Sequence, residues 1–480
     1  MKLKELCSDN MRIIGNEEVS VKRLTYDSRK GCEGALFFCI SGFNTDGHKY
    51  ANDAVNKGAA ALMVTRRLDV DVPQIIVEDA RASMAYISRE FYGRPDEQMR
   101  MVGITGTKGK TTTTYMVKSI LEQSGIKTGL IGTIVNMIGN KQLYTERTTP
   151  ESPDLFALLR RMADEGCKSA VMEVSSHSLC LSRAAGITFD VAVFTNLSRD
   201  HLDFHKTVQN YAESKKRLFL SAKRGVVNAD DCTAGFIMDG IDINWRTVGI
   251  KENADLTAKN IEITPRGTSF DLCGAQMMLP VSLKIPGIFS VYNALCSAAV
   301  CLLLGEKAET IKKGLETLPG VAGRFEVLDT GGNPFTVILD YAHTPDSLES
   351  TLLTVRTFAR GRIITVFGCG GDRDSGKRPI MGDIAGRLSD YCVITSDNPR
   401  TEEPLDIIKQ IEDGIKDKQR DYVCIENRRK AIKHALQSAQ NGDVIVLAGK
   451  GHETYQEIKG VKHPFDEKIV VAEVLGLRHD

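Results

Sequence analysis

The sequence predicts an α/β protein of three domains. Two features of the 480-residue chain carry that reading. Short apolar runs of strand length alternate with amphipathic stretches of helix length, most regularly after residue 320. Polar, glycine-rich or charged motifs follow those runs directly, where open α/β sheets place ligands. The usual domain size also gives about three units for a chain of this length. Boundaries fall at the polar stretch Gly93–Gln98 and at Leu318–Gly323, which holds a proline and two glycines. The units are therefore 1–98, 99–320 and 321–480.

The first unit is a smaller mixed α/β domain, with short strands at Ala60–Val64 and Gln74–Val77. The second alternates strand and helix, with strands at Met101–Ile104, Ser169–Val174, Asp190–Thr195 and Gly225–Asn228. The third is the most regular. Strands fall at Thr336–Asp340, Arg362–Phe367, Tyr391–Thr395, Tyr422–Ile425 and Val444–Ala448, separated by helical patterns such as Leu405–Lys418 and Arg428–Ala439. Continuous apolar strands imply a parallel sheet covered on both faces, here a doubly wound, Rossmann-like domain.

Composition narrows the function. Sixty-two basic side chains balance 62 acidic ones, which argues against a general nucleic-acid binder and gives no support to a membrane-surface protein. No apolar run approaches the roughly 18 residues of a membrane span. The start, MKLKELCSDNMR, lacks the apolar segment of a signal peptide, so a cytoplasmic protein is expected. The twelve cysteines form no C-x-x-C pair and read as reduced, mostly buried thiols, with no zinc site.

The most informative stretch is Met101 to Thr114, MVGITGTKGKTTTT. A strand meets a glycine turn (Gly106, Gly109), then Lys110 and a run of threonines. A helix follows with Met116, Val117, Ile120 and Leu121 on one face and Gly125 past its end. This is the context of a phosphate-binding loop. Backbone N–H groups at the helix start hold phosphate oxygens, Lys110 adds a point charge, and the Thr111 hydroxyl can reach Mg²⁺. The strict spacing places a glycine at Ile104, with Gly103 and Gly106 on either side. An ordinary glycine turn is the alternative, but it gives no packing reason for lysine and threonine there. The central domain is thus read as a P-loop-type ATPase unit.

Other residues at strand ends fit one anionic chemistry. Glu173 ends an apolar strand, where a carboxylate needs a partner or a metal. His201, in NLSRDHLDFH, can be a second ligand or a hydrogen-bonded structural histidine. Lys215, in YAESKKRLF, reads by spacing alone as a solvated lysine. Arg373 and Arg400 sit in Gly- and Pro-shaped loops after adjacent strands, and two guanidinium forks suit a carboxylate or phosphate. Glu453, in AGKGHETYQ, can accept an ammonium group.

Together these motifs resemble the Mur ligase family over nearly the whole chain. TGTKGKTTT resembles its ATP loop. EVSSHSL, TNLSRDHLDFH and the Y-x-x-x-K-x-x-L-F pattern at Tyr211 to Phe219 resemble its central motifs. DYAHTPDSL and GCGGDRDSGKRP resemble its carboxy-terminal ones. The DNPR tetrad, Asp397 to Arg400, and AGKGHE resemble the members that add meso-diaminopimelate. Lysine-adding relatives carry a different tetrad.

The resemblance implies an ATP-dependent, ADP-forming ligase of peptidoglycan precursor synthesis. It would join meso-diaminopimelate to UDP-N-acetylmuramoyl-L-alanyl-D-glutamate through an acyl phosphate. Gly106, Thr107, Lys108, Gly109, Lys110, Thr111 and Thr112 would hold ATP, with Asn293, Arg324, His343 and Lys377. Thr111, Glu173 and His201 would bind Mg²⁺, together with Lys215 carbamylated by CO₂. Lys110, Lys215 and His201 would be the catalytic set. Ser28, Asn44, Thr45, Asp46 and Gly47 would hold the uridine nucleotide. Thr148, Thr149, Ser175 and Arg183 would hold the muramoyl dipeptide. Arg373, Asp397, Asn398, Pro399, Arg400, Gly449 and Glu453 would form the diaminopimelate pocket. All partners implied are small molecules, with no nucleic acid, no membrane insertion and a monomeric chain.

The pattern has departures. Leu181 stands where many relatives carry a glutamine that contacts the muramoyl substrate, Lys108 where asparagine is common, and Ser290 in place of an asparagine. Three rivals stay open: a lysine-adding relative, a folylpolyglutamate synthetase-like ligase and a non-catalytic nucleotide-binding scaffold. Loss of Lys110, Glu173, His201 or Lys215 would favour the scaffold, and all four are present.

Overall fold

The apolar runs pair into three main sheets that follow one another along the chain. The structure is a computed structural model that describes residues 1–42, 45–275, 277–416 and 421–477. Asn44 and the end of the helical pattern Leu405–Lys418 lie outside the described residues.

The first sheet has five strands, in the order Arg12–Ile14, Gln74–Ile76, Ala61–Val64, Ala35–Phe38 and Arg23–Thr25. All neighbours are parallel except the first pair.

The second sheet has eleven strands. Its parallel centre runs Thr128–Ile131, Ser169–Glu173, Arg100–Thr105, Val191–Phe194, Arg224–Asn228 and Asn244–Gly249. Arg100–Thr105 thus lies between the strands ending at Glu173 and Phe194. Three motif-bearing strand ends meet there, with Glu173 opposite Ile104 and Phe194 opposite Thr105. The helices Lys110–Gln123 and Ile288–Leu303 pack on this sheet through one apolar cluster. An antiparallel ribbon, Leu256–Thr264, Gly267–Gly274 and Met277–Leu283, extends one edge. The sequence reading did not place it. Its last strand alternates buried and exposed residues because one face meets solvent, so it lacks the continuous apolar run of a parallel strand.

The third sheet runs Glu326–Leu328, Thr336–Asp340, Val444–Ala448, Ile363–Phe367, Tyr391–Ile394 and Asp421–Cys424. Only the first pair is antiparallel. Separate apolar clusters cover its two faces, the doubly wound arrangement. The late strand Val444–Ala448 is inserted between two earlier ones. Its carboxyl end therefore sits between the loops after Asp340 and Phe367.

The stretch Leu318–Gly323 follows the helix Ala308–Thr317. It is more than a tether, because the Gly323 carbonyl accepts from the Tyr341 amide at 3.0 Å and its amide donates to Glu326 at 2.7 Å. Among the described residues no helix is long and apolar enough to cross a membrane.

Leu339 is wholly buried one residue before Asp340. Leu339→Ala should lower stability by about 2–5 kcal/mol through lost burial and a residual cavity. Chemical denaturation followed by far-UV circular dichroism checks this.

Candidate active site

The loop after Arg100–Thr105 takes its shape from the neighbouring strand end. Gly106 and Gly109 have φ of +151° and +84°. A Cβ on Gly106 would collide with the Thr195 hydroxyl, and one on Gly109 with the Asn293 side-chain oxygen. Thr195 Oγ1 donates to the Lys108 carbonyl at 2.6 Å. Asn196 accepts from the Lys108 amide at 2.9 Å and donates to its carbonyl at 3.1 Å. Lys110 then opens the helix with its ammonium on the Gly106 and Thr107 carbonyls, at 2.8 and 3.0 Å. The first-turn N–H groups of that helix face the loop, which is an anion cradle.

Glu173 lies beside it, 1% exposed. Its carboxylate accepts from Thr111 Oγ1 at 3.0 Å, Thr133 Oγ1 at 3.1 Å and the Thr133 amide at 2.8 Å. The next layer is Thr148, whose hydroxyl meets that of Thr133 at 3.0 Å, and Thr149, which donates to the Glu173 carbonyl at 2.8 Å. Ser175 donates its amide to Thr149 at 3.2 Å. Arg183 donates to the Thr149 carbonyl at 3.1 Å and pairs with Glu151 at 2.8 Å. The four residues assigned to the muramoyl dipeptide therefore surround Glu173.

His201 takes a left-handed backbone, φ +53°, with its ring 4.9 Å from that of His177. Burial lowers its pKa and Lys110 adds to this, against Asp200. The neutral imidazole is the form that binds metal. The solvated-lysine reading of Lys215 is wrong. The helix Val208–Lys216 turns it inward, 1% exposed, with its nitrogen 4.2 Å from the centre of the Tyr211 ring. Burial, reinforced by Lys110, holds its pKa well below the usual lysine value.

The third sheet closes the other wall. Arg324 donates to Thr111 Oγ1 at 3.4 Å and lies 4.7 Å over the Tyr341 ring. His343 meets the Tyr341 carbonyl through Nδ1 at 2.8 Å, and Lys377 donates to the His343 carbonyl at 2.8 Å. Burial, with help from Lys377, pushes the His343 pKa down to about 4, so the ring is neutral at pH 7. Between these walls lies a cavity of about 860 Å³. Lys110, Glu173, Arg183, His201, Asn293, Arg324 and His343 all line it, but Lys215 and Lys377 stand behind the lining.

The remaining residues form two other groups. Asp397, Asn398, Arg400 and Glu453 cluster at the ends of Tyr391–Ile394 and Val444–Ala448. Asn398 donates to Glu453 at 2.8 Å, and Arg400, at φ +52°, donates to the Gly371 carbonyl at 2.6 Å. Gly449 and Arg373 flank this cluster, and the Tyr341–His452 ring contact, 5.1 Å, joins it to the cavity wall. In the first domain Ser28 is buried and its carbonyl accepts from Lys57 at 3.1 Å. Asp46 accepts from the His48 ring at 2.6 Å and from Arg66 at 3.1 Å, so its carboxylate is engaged within the domain. Neither group lines the large cavity.

Sequence reading gave no role to Thr133, Asn196, Glu151 and Lys450, although Asn196 and Lys450 lie in stretches it noted at strand ends. Thr133 and Asn196 each stand two residues past a strand end, and that position was the available signal. Lys450 stands at the same place past Val444–Ala448, whereas Glu151 follows no strand end.

One hydroxyl (Thr111), one carboxylate (Glu173) and one neutral imidazole (His201) suit Mg²⁺, which takes few protein ligands and keeps waters and phosphate oxygens. Accordingly, no three His, Cys, Asp or Glu side chains gather into a metal cage among the described residues.

Three family models match the chain: the Mur ligase middle domain over 104–301, the Mur ligase glutamate ligase domain over 323–451, and the Mur ligase family catalytic domain over 20–92. The chain belongs to the Mur ligase family. It is 49% identical to the UDP-N-acetylmuramoyl-L-alanyl-D-glutamate–2,6-diaminopimelate ligase 1 of Clostridium acetobutylicum, with 99% of each chain covered. It is 48% identical to the 2,6-diaminopimelate ligase of the same name from Clostridium botulinum, with 96% of each covered. A solved structure of a UDP-N-acetylmuramoyl-L-alanyl-D-glutamate–2,6-diaminopimelate ligase superposes with a TM-score of 0.72 at 31% identity, covering 99% of both chains. As a Mur ligase the chain is an enzyme of the ATP-dependent, amide-forming class.

In this Mur ligase Gly109→Ala forces a Cβ against Asn293 at a left-handed backbone position. We expect at least tenfold weaker ATP binding by isothermal titration calorimetry, with the far-UV circular dichroism spectrum unchanged.

Proposed function

We propose that this Mur ligase adds meso-diaminopimelate to UDP-N-acetylmuramoyl-L-alanyl-D-glutamate in the cytoplasm, as a monomer, during peptidoglycan precursor synthesis. The observation that carries the reading is the DNPR loop, Asp397 to Arg400, packed against Glu453 in a chain 49% identical to a ligase named for that reaction. We take the domain boundaries near 98 and 320, each sheet lying within one domain.

The geometry divides the labour. The loop at Gly106–Lys110 and the helix start hold the ATP phosphates, while Arg324 and His343 bound the nucleotide from the third domain. Thr148, Thr149, Ser175 and Arg183 set the D-glutamyl carboxylate next to Glu173 and the phosphate loop. Ser28, Thr45, Asp46 and Gly47, with Asn44, hold the uridine end. Lys110 offsets the repulsion between carboxylate and γ-phosphate as phosphoryl transfer forms the acyl phosphate. The amine at the other end of the amino acid, whose far end the DNPR pocket holds, then attacks the acyl carbon, and phosphate and a proton leave. Closure of the third domain on the second excludes water from that step.

Thr111, Glu173 and His201 would hold Mg²⁺, which supplies positive charge to the transferring phosphoryl group. Burial that lowers the Lys215 pKa favours the neutral amine, the form that adds CO₂. The new N–C bond gives a carbamate and releases one proton. Lys215 so modified becomes the anion that completes the metal site. Lys215→Ala should lose most activity and recover part of it with added short carboxylates. A normal turnover in the alanine variant overturns the role.

Meso-diaminopimelate differs from lysine by a second carboxylate at its far centre, and Arg400 is assigned to it in a bidentate pair, beside Arg373 and Pro399. Leaving a buried carboxylate without its partner costs about 3–5 kcal/mol, a few hundred-fold or more in binding. In an ADP-release assay across a panel of amino acids, the parent should prefer diaminopimelate to lysine. Arg400→Ala should raise the KM for diaminopimelate steeply and leave that for ATP near its starting value. A parent that prefers lysine rejects the assignment.

A further inference from the structure

Lys450 lies between Gly449 and Glu453 in sequence, and none of its side chain reaches solvent. Its ammonium donates to Asn398 Oδ1 at 3.0 Å and to Glu453 Oε2 at 3.3 Å, and stands 3.6 Å from Asp397 Oδ1. The nearest aromatic face, Tyr455, is 5.7 Å away. Beneath it a second buried pair, Arg428 with Glu467 at 2.8 Å, ties to the Ala448 carbonyl at 2.8 Å and closes the underside of the cluster.

These contacts fix the Asn398 amide. Oδ1 receives the Lys450 ammonium and the Glu457 amide, at 3.0 and 2.9 Å, and both are donors only. Nδ2 faces Glu453 at 2.8 Å, which only accepts while ionised. Reversing the amide would set like groups against each other at every contact. The charges also combine simply. Asp397, Glu453 and Glu457 bring three negative charges against the positive charges of Lys450 and of Arg400, which stands 3.4 Å from Glu457, leaving one net negative charge.

We propose that Lys450 is a positioning residue for the third substrate, holding Asn398, Asp397 and Glu453 so that the pocket accepts a single ammonium group next to the carboxylate read by Arg400. This rests on the diaminopimelate reading above. The far end of meso-diaminopimelate carries one ammonium and one carboxylate. The far end of lysine carries the ammonium alone. Removing the Lys450 charge makes the pocket more negative, which disfavours the zwitterionic end and favours the purely cationic one. Lys450 therefore sharpens selection between the two amino acids without touching either.

The test uses full-length Lys450→Met and Lys450→Gln proteins with the muramoyl dipeptide nucleotide, ATP, and meso-diaminopimelate or L-lysine, read by ADP release. Lys450→Met should raise the KM for diaminopimelate at least tenfold, with the KM values for ATP and the nucleotide substrate within twofold of the parent. The ratio of kcat/KM for diaminopimelate to that for lysine should fall. Lys450→Gln, which keeps a donor for Asn398 but no charge, should show a smaller rise in KM and a similar fall in the ratio. An unchanged diaminopimelate KM, an unchanged ratio, or a parallel rise for all three substrates overturns the proposal. If Lys450→Met does not fold, Lys450→Gln decides alone, and failure of both to fold makes Lys450 a structural residue and overturns it as well. A parent that uses diaminopimelate while its variants are unaltered defeats only the role of Lys450. A parent that does not use it defeats the functional reading and this inference together.

Discussion

The nucleotide end of this Mur ligase depends on the contact between the loop Gly106–Lys110 and the end of the strand Val191–Phe194. Four hydrogen bonds involving Thr107, Lys108, Thr195 and Asn196 press the two backbones together. Only glycine can occupy Gly106 at that distance. The pressed loop fixes where the helix Lys110–Gln123 begins. That start in turn fixes Lys110 over the loop carbonyls and Thr111 against Glu173. Arg324 reaches the same threonine from the third domain, so one residue takes contacts from two sheets. A shift of the loop would move the anion cradle, the Thr111–Glu173 contact and the inter-domain contact together.

Buried charge is the second organising feature. A carboxylate or ammonium away from water is costly unless paired or hydrogen-bonded. Glu173 is tolerated because three donors meet it, and Lys450 because three side chains surround it. Lys215 has instead a ring face and a nearby lysine, and its environment favours the neutral amine. The contrast separates the roles. A lysine ringed by acceptors is held as a cation, while one denied them is driven toward the neutral amine. The same logic applies to His343, neutral at pH 7 in its buried wall and suited to contact with a ligand through hydrogen bonding rather than charge.

Much of this was legible in the sequence, for a definite reason. A parallel strand buried on both faces needs an unbroken apolar run, and a ligand site at its end needs polar residues straight after. Met101–Ile104 before the glycine loop, and Val444–Ala448 before Gly449, show both signals within ten residues. The ribbon Leu256–Leu283 was not legible, since a strand with one solvated face scatters its apolar residues. Lys215 misread for a related reason. Helical spacing tells which residues share a face but not that the face of Val208–Lys216 carrying Tyr211 and Lys215 turns toward the phosphate loop. Lys450 was hidden between two residues already noticed, because its meaning lies in Asp397 and Asn398, more than fifty positions earlier.

That separation in sequence follows from strand order. The strand Val444–Ala448 is late in the chain yet sits between Thr336–Asp340 and Ile363–Phe367. Its terminal loop is thereby flanked by the nucleotide-facing loop at Tyr341–His343 on one side. On the other lie the loops that carry Arg373 and, one strand further, Asp397 to Arg400. Tyr341 touches Arg324 through its face and His452 through a tilted ring contact, so the two clusters share a single aromatic side chain. The cluster at Glu453 and the cavity wall at Arg324 are thus referred to one strand end. Inserting the sheet's last strand in chain order into its middle is what sets the Asp397–Glu453 cluster beside the wall of the large cavity.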